Sequence, residues 1–200
     1  VMSHLGSATI PDSDRNSSQL RAFLELRALF PAARASLAAS AGVFLGPDYH
    51  FDMVRPGVSL YGGGPEERPD ERLRAVATLT APILDIRELG PGAIAGYGES
   101  VVIQQLTRAA IVAAGYADGM IRAGKAGYAW VDGARRPFLF INMDLAAIDI
   151  GDAVVEPGQP VELLGPNALL DDLATAAGTV AHEVLVRLSR RAQRTYLARR

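Results

Sequence analysis

Cysteine is absent from this sequence of 200 residues, and lysine occurs once, at Lys125. Without thiols there are no disulfides and no thiolate metal sites, a composition that fits a reducing compartment. The histidines, at positions 4, 50 and 182, are too scattered to form a zinc pattern. No apolar run approaches the roughly 20 residues that span a bilayer. The start, Val1-Met2-Ser3-His4, has neither a basic segment nor a cleavable apolar stretch, so no signal peptide is read there. Charge of one sign is lacking too. A formal charge of -2 gives no electrostatic reason to expect nucleic acid or an anionic membrane as a partner. Internal repeats and low-complexity segments are missing. The expectation is a soluble, cytoplasmic chain, and a first residue of Val, at what reads as a strand end, suggests a piece of a longer protein.

What is present is an apolar content of 49%, enough to bury a core in one domain or two small ones. From Ser17 to Phe30, apolar residues at Leu20, Phe23, Leu24, Leu26 and Leu29 follow helical spacing, and Pro31 ends the pattern. A short apolar run, Ala35 to Ala39, leads into Ser40-Ala41-Gly42. Phe51 to Tyr61 reads as a strand interrupted by Arg55-Pro56-Gly57. Alternation of this kind favours α/β units with a parallel sheet, in a barrel or an open arrangement. The flexible, polar stretch from Gly62 to Asp70 is the best boundary. Beyond it, strand-length runs at Val76 to Ile86, Arg108 to Ala114, Pro137 to Ile141, Ala146 to Ile150 and Val161 to Leu164 alternate with turns. Gly90-Pro91-Gly92, Asp132-Gly133 and Glu156-Pro157-Gly158-Gln159-Pro160 supply those turns. The second part therefore reads as all-β. Two short helices follow, Leu170 to Ala177 closed by Gly178 and Val180 to Arg190, with Thr195-Tyr196-Leu197 as a last strand. The basic run Arg187 to Arg194 reads as a solvated or interface face.

A few residues could carry chemistry. Tyr97 lies between two glycines, which admit backbone conformations closed to other residues. Its phenol, with an ordinary pKa near 10, needs a neighbouring cation or hydrogen bonds to act as a base. Arg55 is a charge within an apolar stretch; at an edge it would be solvated, and buried it would need partners. Ser40, Gly57 and Val58 could together cradle a phosphate through a hydroxyl and backbone N–H groups, although small residues after a strand usually mark only a turn. His4, alone at a strand end, is ordinarily structural.

Four motifs in order sharpen this reading: Val54 to Gly62, Gly96-Tyr97-Gly98, Gly115-Tyr116-Ala117-Asp118-Gly119 and Met143-Asp144. In sequence and spacing they resemble the alanine racemase family, enzymes dependent on pyridoxal 5'-phosphate (PLP). The resemblance runs from Val1 to Leu197 and implies a fold: residues 1–66 as the end of a TIM-type (β/α)8 barrel that binds PLP, and 67–200 as a β-rich C-terminal domain. It implies a homodimer with shared active sites, in which the tyrosine of one subunit faces the cofactor of the other. It also implies roles. Tyr97 would be the base that takes the α-proton of L-alanine. Arg55 would face the pyridine nitrogen, Ser40, Gly57 and Val58 the phosphate, and His4 the ring. Met143 would bind the substrate carboxylate through its backbone N–H, with Asp144 beside it, and Tyr116, Asp118 and Arg122 would line the entry corridor.

Two positions depart from the family pattern. The corridor arginine is replaced by Phe140, and the tyrosine that donates to the phosphate is replaced by His182. PLP enzymes of this kind hold the cofactor on a lysine, and Lys125 stands in no such context. The resemblance therefore implies the C-terminal half of an enzyme that interconverts L- and D-alanine for peptidoglycan. A broad-specificity amino-acid racemase of the same fold and a non-catalytic β-domain remnant are the alternatives.

Overall fold

A computed structural model describes residues 1–99 and 101–197. The chain divides into two units, Val1–Val76 and Ala77–Arg200. In the first, helix α1 (Asp14–Ala28) begins three residues before the apolar periodicity does. Ser13 caps it, its side chain accepting from the Arg15 N–H, and Asp14 and Arg27 sit at the ends that the helix dipole favours. Phe23 is the fully buried apolar residue of α1, sharing its core with Leu5, Ala8, Ala35 and Leu37, while Leu20 packs against that core half-buried. The Phe23 ring meets Phe51 edge to face, centroids 4.9 Å apart. Leu24, Leu26 and Leu29, grouped with Phe23 by spacing, are exposed on this chain.

Three extended segments lie side by side, joined by parallel bridges Met2↔Ser36 and Ala39↔Arg55. Helix α2 (Ser40–Val43) follows the second segment, and 3₁₀ turns form at Pro47–Tyr49 and Val58–Tyr61. The expected strand from Phe51 to Tyr61 is not one. Phe51 adopts a φ of 51°, only Arg55 makes a bridge, and the stretch from Val58 coils. Pro56 lacks the N–H that a ladder needs at that point. The first unit thus has parallel pairing, while the described residues contain no closed barrel of parallel strands.

The second unit is built on a closed antiparallel barrel. Its strands are β1 (Leu79–Leu89), β4 (Thr107–Val112), β5 (Tyr128–Val131), β6 (Ala134–Ile141), β7 (Ala146–Asp149) and β8 (Pro160–Leu164), in the order β1-β4-β7-β6-β5-β8. β1 closes the barrel by serving two neighbours: Leu79 to Pro82 pair with β8, and Ile83 to Leu89 pair with β4, with a bulge at each stretch. Fully buried Ile83, Val112, Val131, Ile148 and Val161 fill the interior together with Ala110, Ala129 and Ala146, whose small side chains suit a narrow barrel. The hairpin β5–β6 turns through Asp132 and Gly133, both left-handed (φ 49° and 73°), the signature of a type I′ turn.

Strands β2 (Ile94–Ala95) and β3 (Val101–Val102) form a separate two-stranded ribbon. Helices α3 (Leu170–Ala176) and α4 (Ala181–Arg187) follow the barrel. The last strand expected at Thr195 to Leu197 does not form; the segment is irregular, and Tyr196 and Leu197 are exposed with no sheet edge to join.

Candidate functional site

In the first unit the sequence candidates converge around one guanidinium. Arg55 is half-buried, its backbone pinned by the bridge to Ala39 and by its N–H donating to the Ala38 carbonyl at 2.9 Å. Its Nη1 donates to Ser36 Oγ at 2.6 Å, and its Nη2 to the Ser3 carbonyl at 2.6 Å and more distantly to Leu37 O at 3.4 Å. His4 Nδ1 lies 3.5 Å from the same Nη2. A guanidinium cannot accept, so any hydrogen bond here needs the imidazole proton on Nε2. Ser36 is 2% exposed and spends its own proton on the Met53 carbonyl at 2.7 Å. Its lone pairs are what remain for Arg55. The arginine Nε–H is left without an acceptor among the described residues. Sequence reasoning missed Ser36; the only signal was a hydroxyl in the otherwise apolar Ala35 to Ala39 run.

Ser40, at the start of α2, is also buried. Its Oγ accepts from the Gly57 N–H at 2.7 Å and the Ser59 N–H at 3.3 Å. The hydroxyl proton remains free to donate, and Val58 N–H, at the start of its 3₁₀ turn, has no acceptor among the described residues. Gly57, whose N–H is turned onto Ser40, shapes the cradle rather than opening it. Ser40, Gly57 and Val58 are thus brought together, as are Arg55 and His4.

The second unit gathers the other candidates. Tyr97 occupies the turn between β2 and β3, its side chain 78% exposed. Gly96 and Gly98 beside it take φ of 77° and 63°, the left-handed region that an ordinary residue enters only with strain. Gly115 serves another purpose. A Cβ there would stand 2.3 Å from the carbonyl oxygens of both Asn142 and Met143, so only glycine lets the two loops touch. Across that contact Tyr116 N–H donates to Asn142 O and Ala117 N–H to Met143 O, each at 2.9 Å. Met143 N–H has no acceptor among the described residues. Gly119 is nearly as tight, its Cβ position 2.5 Å from Arg187 O at the end of α4 and 2.7 Å from Leu188 Cα.

Asp118 Oδ2 accepts from the Gly115 N–H at 3.0 Å. Its other oxygen faces Arg191 Nε at 3.1 Å, and Arg191 Nη1 reaches Asp144 Oδ1 at 3.0 Å. Arg191, read from sequence as part of a basic run forming a solvated or interface face, is a bridge between two motif carboxylates. His182 lies exposed on α4, where the Thr179 hydroxyl first and Arg187 next hold the neighbouring Glu183 carboxyl below the usual range. Phe140 is half-buried on β6, opposite Ala147. Lys125 is exposed within a 3₁₀ segment, Arg122–Ala126, that also carries Arg122.

Two family models match this chain: the alanine racemase N-terminal domain over residues 1–65 and the alanine racemase C-terminal domain over residues 76–196. The chain belongs to the alanine racemase family. It is 41% identical to the biosynthetic alanine racemase of Agrobacterium fabrum, a match that covers 98% of this chain and 54% of that protein. Among solved structures, the alanine racemase of Acinetobacter baumannii superposes with a TM-score of 0.90 at 37% identity, covering 96% of this chain and 55% of that one. The racemase of Bartonella henselae, solved with covalently bound pyridoxal phosphate, gives 0.89 at 35% identity, covering 98% and 56%. The chain therefore spans about half the length of the relatives it matches.

Proposed function

We propose that the protein containing this chain is a PLP-dependent isomerase that interconverts L- and D-alanine in the cytoplasm, supplying D-alanine for peptidoglycan. The observation that carries the reading is the anchoring of Arg55. Ser36, Ser3 and Leu37 hold its two terminal nitrogens and leave Nε–H as a fixed donor. A guanidinium keeps its proton (pKa above about 12), so it donates to a pyridine nitrogen without protonating it. Bound PLP supplies an electron sink for the charge left at the substrate Cα, and an unprotonated ring makes that sink deliberately weak. The donor set fits the rest of the cofactor: the Ser40 hydroxyl and the Val58 amide suit a phosphate, and His4, beside Arg55, suits the ring face. His182 would donate to the phosphate in place of the family's tyrosine.

On this reading Tyr97 removes the α-proton of L-alanine, and the Met143 amide, with Asp144 beside it, receives the substrate carboxylate. Residues 1–66 would complete a TIM-type barrel with the rest of the protein, and 67–200 would form the β domain. The enzyme would act as a homodimer, Tyr97 of one subunit serving the cofactor site of its partner. The lysine that anchors PLP would come from the part of the relatives' length this chain does not match, since Lys125 is exposed and far from any such pattern in sequence. Phe140 favours one variant of the reading, a racemase of broader specificity, because a corridor arginine is replaced by an apolar ring; comparing kcat/KM for alanine, serine and lysine separates the two.

The test is Tyr97→Phe in the full-length, PLP-loaded protein, following solvent deuterium incorporation at Cα from each enantiomer. A lost general base costs about 10²–10⁴-fold, and the loss is expected from L-alanine far more than from D-alanine. Equal, small losses on both would make Tyr97 a packing residue. A full-length protein without racemase activity would favour the non-catalytic remnant.

A further inference from the structure

Three backbone segments of the second unit meet at the Met143-Asp144 loop, and a single side chain ties them. Residues 115–118 reach the loop through the Tyr116 and Ala117 hydrogen bonds. The segment after α4 reaches residues 115–118 through Ser189 N–H, which donates to Asp118 O at 3.2 Å. Arg191 then joins all three: Asp118 at 3.1 Å, Asp144 at 3.0 Å, and its own turn, where its N–H donates to Ser189 Oγ at 3.1 Å. The Met143 carbonyl is held by Ala117, and the Asn142 N–H donates to Leu145 O at 2.9 Å across the turn, while the Asp144 side chain is held by Arg191 alone among the described residues.

We infer that Arg191 is a positioning residue that fixes the orientation of the Met143 amide N–H for the substrate carboxylate. The inference rests on the substrate-binding role given to Met143 above. A planar, forked guanidinium spans the two carboxylates with separate donors in fixed directions, where an ammonium offers a single point charge. The Met143 N–H shares a peptide plane with the Asn142 carbonyl, which the Tyr116 N–H holds at 2.9 Å. Arg191 therefore acts on that plane through Asp118, whose carboxylate fixes the 115–118 turn, and steadies the far side of the loop through Asp144. Asp144 and Arg191 are each 58% exposed. The exposed Arg191–Asp144 pair adds little to global stability, whereas the Asp118 side chain is 15% exposed, so loss of Arg191 is expected to lower substrate affinity and also to cost some stability.

The experiment is Arg191→Met in the full-length, PLP-loaded enzyme, with Arg191→Lys beside it. Such pairs are each worth about 1.4- to fivefold in an equilibrium, so loss of two is expected to raise KM for alanine about two- to 25-fold in both directions. The kcat is expected to stay within about twofold, the split that marks lost uniform binding. The lysine variant, able to keep one contact, falls between. Salt provides a readout that a structural role would not move: wild-type KM rises with ionic strength as the pairs are screened, and the KM of Arg191→Met rises less. Should Arg191→Met lower the melting temperature or the PLP content, Asp144→Asn, which removes one pair at an exposed site, carries the same measurement. Unchanged KM in the informative variant, equal salt slopes, or a fall in kcat with KM constant overturns the inference while racemase activity persists. A wild-type enzyme that does not racemise alanine removes the functional reading and the inference together.

Discussion

Gly115→Ala isolates the steric demand at the centre of the second unit. The backbone there is extended (φ -148°), so alanine meets no dihedral penalty and the whole effect comes from contact. The new Cβ would lie 2.3 Å from two carbonyl oxygens and 2.5 Å from the Met143 carbonyl carbon, more than 1 Å inside ordinary van der Waals contact at about 3.5 Å. These oxygens belong to backbone, so no side-chain rotation relieves the clash, and their retreat lengthens the hydrogen bonds from Tyr116 and Ala117. Overpacking costs typically about 1–3 kcal/mol and each weakened neutral hydrogen bond about 1. The expected destabilisation is about 3 kcal/mol, with a rise in KM for alanine as the Met143 amide moves. Urea denaturation of the full-length protein measures the first and initial-rate kinetics the second. Gly90→Ala is the control, since a Cβ there meets nothing within 4 Å and is expected to be neutral or slightly stabilising. A Gly115→Ala protein within about 1 kcal/mol of wild type would refute the claim that this glycine is required by close approach.

Arg55→Glu is expected to protonate the PLP pyridine nitrogen, because a carboxylate favours the pyridinium that arginine disfavours; ¹⁵N NMR of labelled cofactor detects it, and pyruvate formed during turnover measures the abortive transamination that a stronger electron sink permits. The 200-residue chain alone is expected to show neither racemase activity nor PLP retained on Lys125 after borohydride reduction and peptide mapping. Tyr128, pushed up to about 12 by burial first and by its hydrogen bond to Asp172 next, against the cation of Arg135, links stability to alkaline pH. Its folded pKa lies above the unfolded value, so its contribution is complete below about pH 10 and is lost between there and about 12. The side chain is half-buried and still partly screened by solvent, which limits the effect to about 1 kcal/mol; Tyr128→Phe should abolish this slope in melts recorded from pH 9 to 12.

The strands of the second unit were legible because they bury one face at a time, although their closure into a barrel was not read. Ala81 and Ile83, Ala110 and Val112, Ala129 and Val131, and Ala146 and Ile148 alternate inward, and the apolar runs located five of the six barrel strands to within a few residues. Strand β5 was missed because Tyr128–Val131 is short and follows Gly124, Lys125 and Gly127, which read as loop. The error at Phe51 to Tyr61 has the opposite cause: hydrophobicity sufficient for a strand, but with Pro56 and a left-handed Phe51 removing the ladder. Helix α1 started early because Ser13 and Asp14 set its end, while the apolar periodicity reports only the side that follows.

The site was legible unevenly, and the division follows range. Candidates marked by local chemistry could be picked out: Tyr97 between left-handed glycines, Arg55 within an apolar run, and Ser40 at a helix start. Residues whose role depends on distant partners could not. Ser36 is 19 positions from the guanidinium it accepts from, and Arg191 is 47 from Asp144, separations no spacing rule encodes. The glycines of Gly115-Tyr116-Ala117-Asp118-Gly119 lie between these cases. Sequence marks them as a motif, yet Gly115 takes an ordinary extended φ and is required only because loop 142–143 passes within contact of its Cα hydrogen. The same five residues present one oxygen of Asp118 to their own backbone and the other to Arg191. The motif is thus a hub whose conformation is set locally and whose purpose is set by the loop and the tail that dock on it.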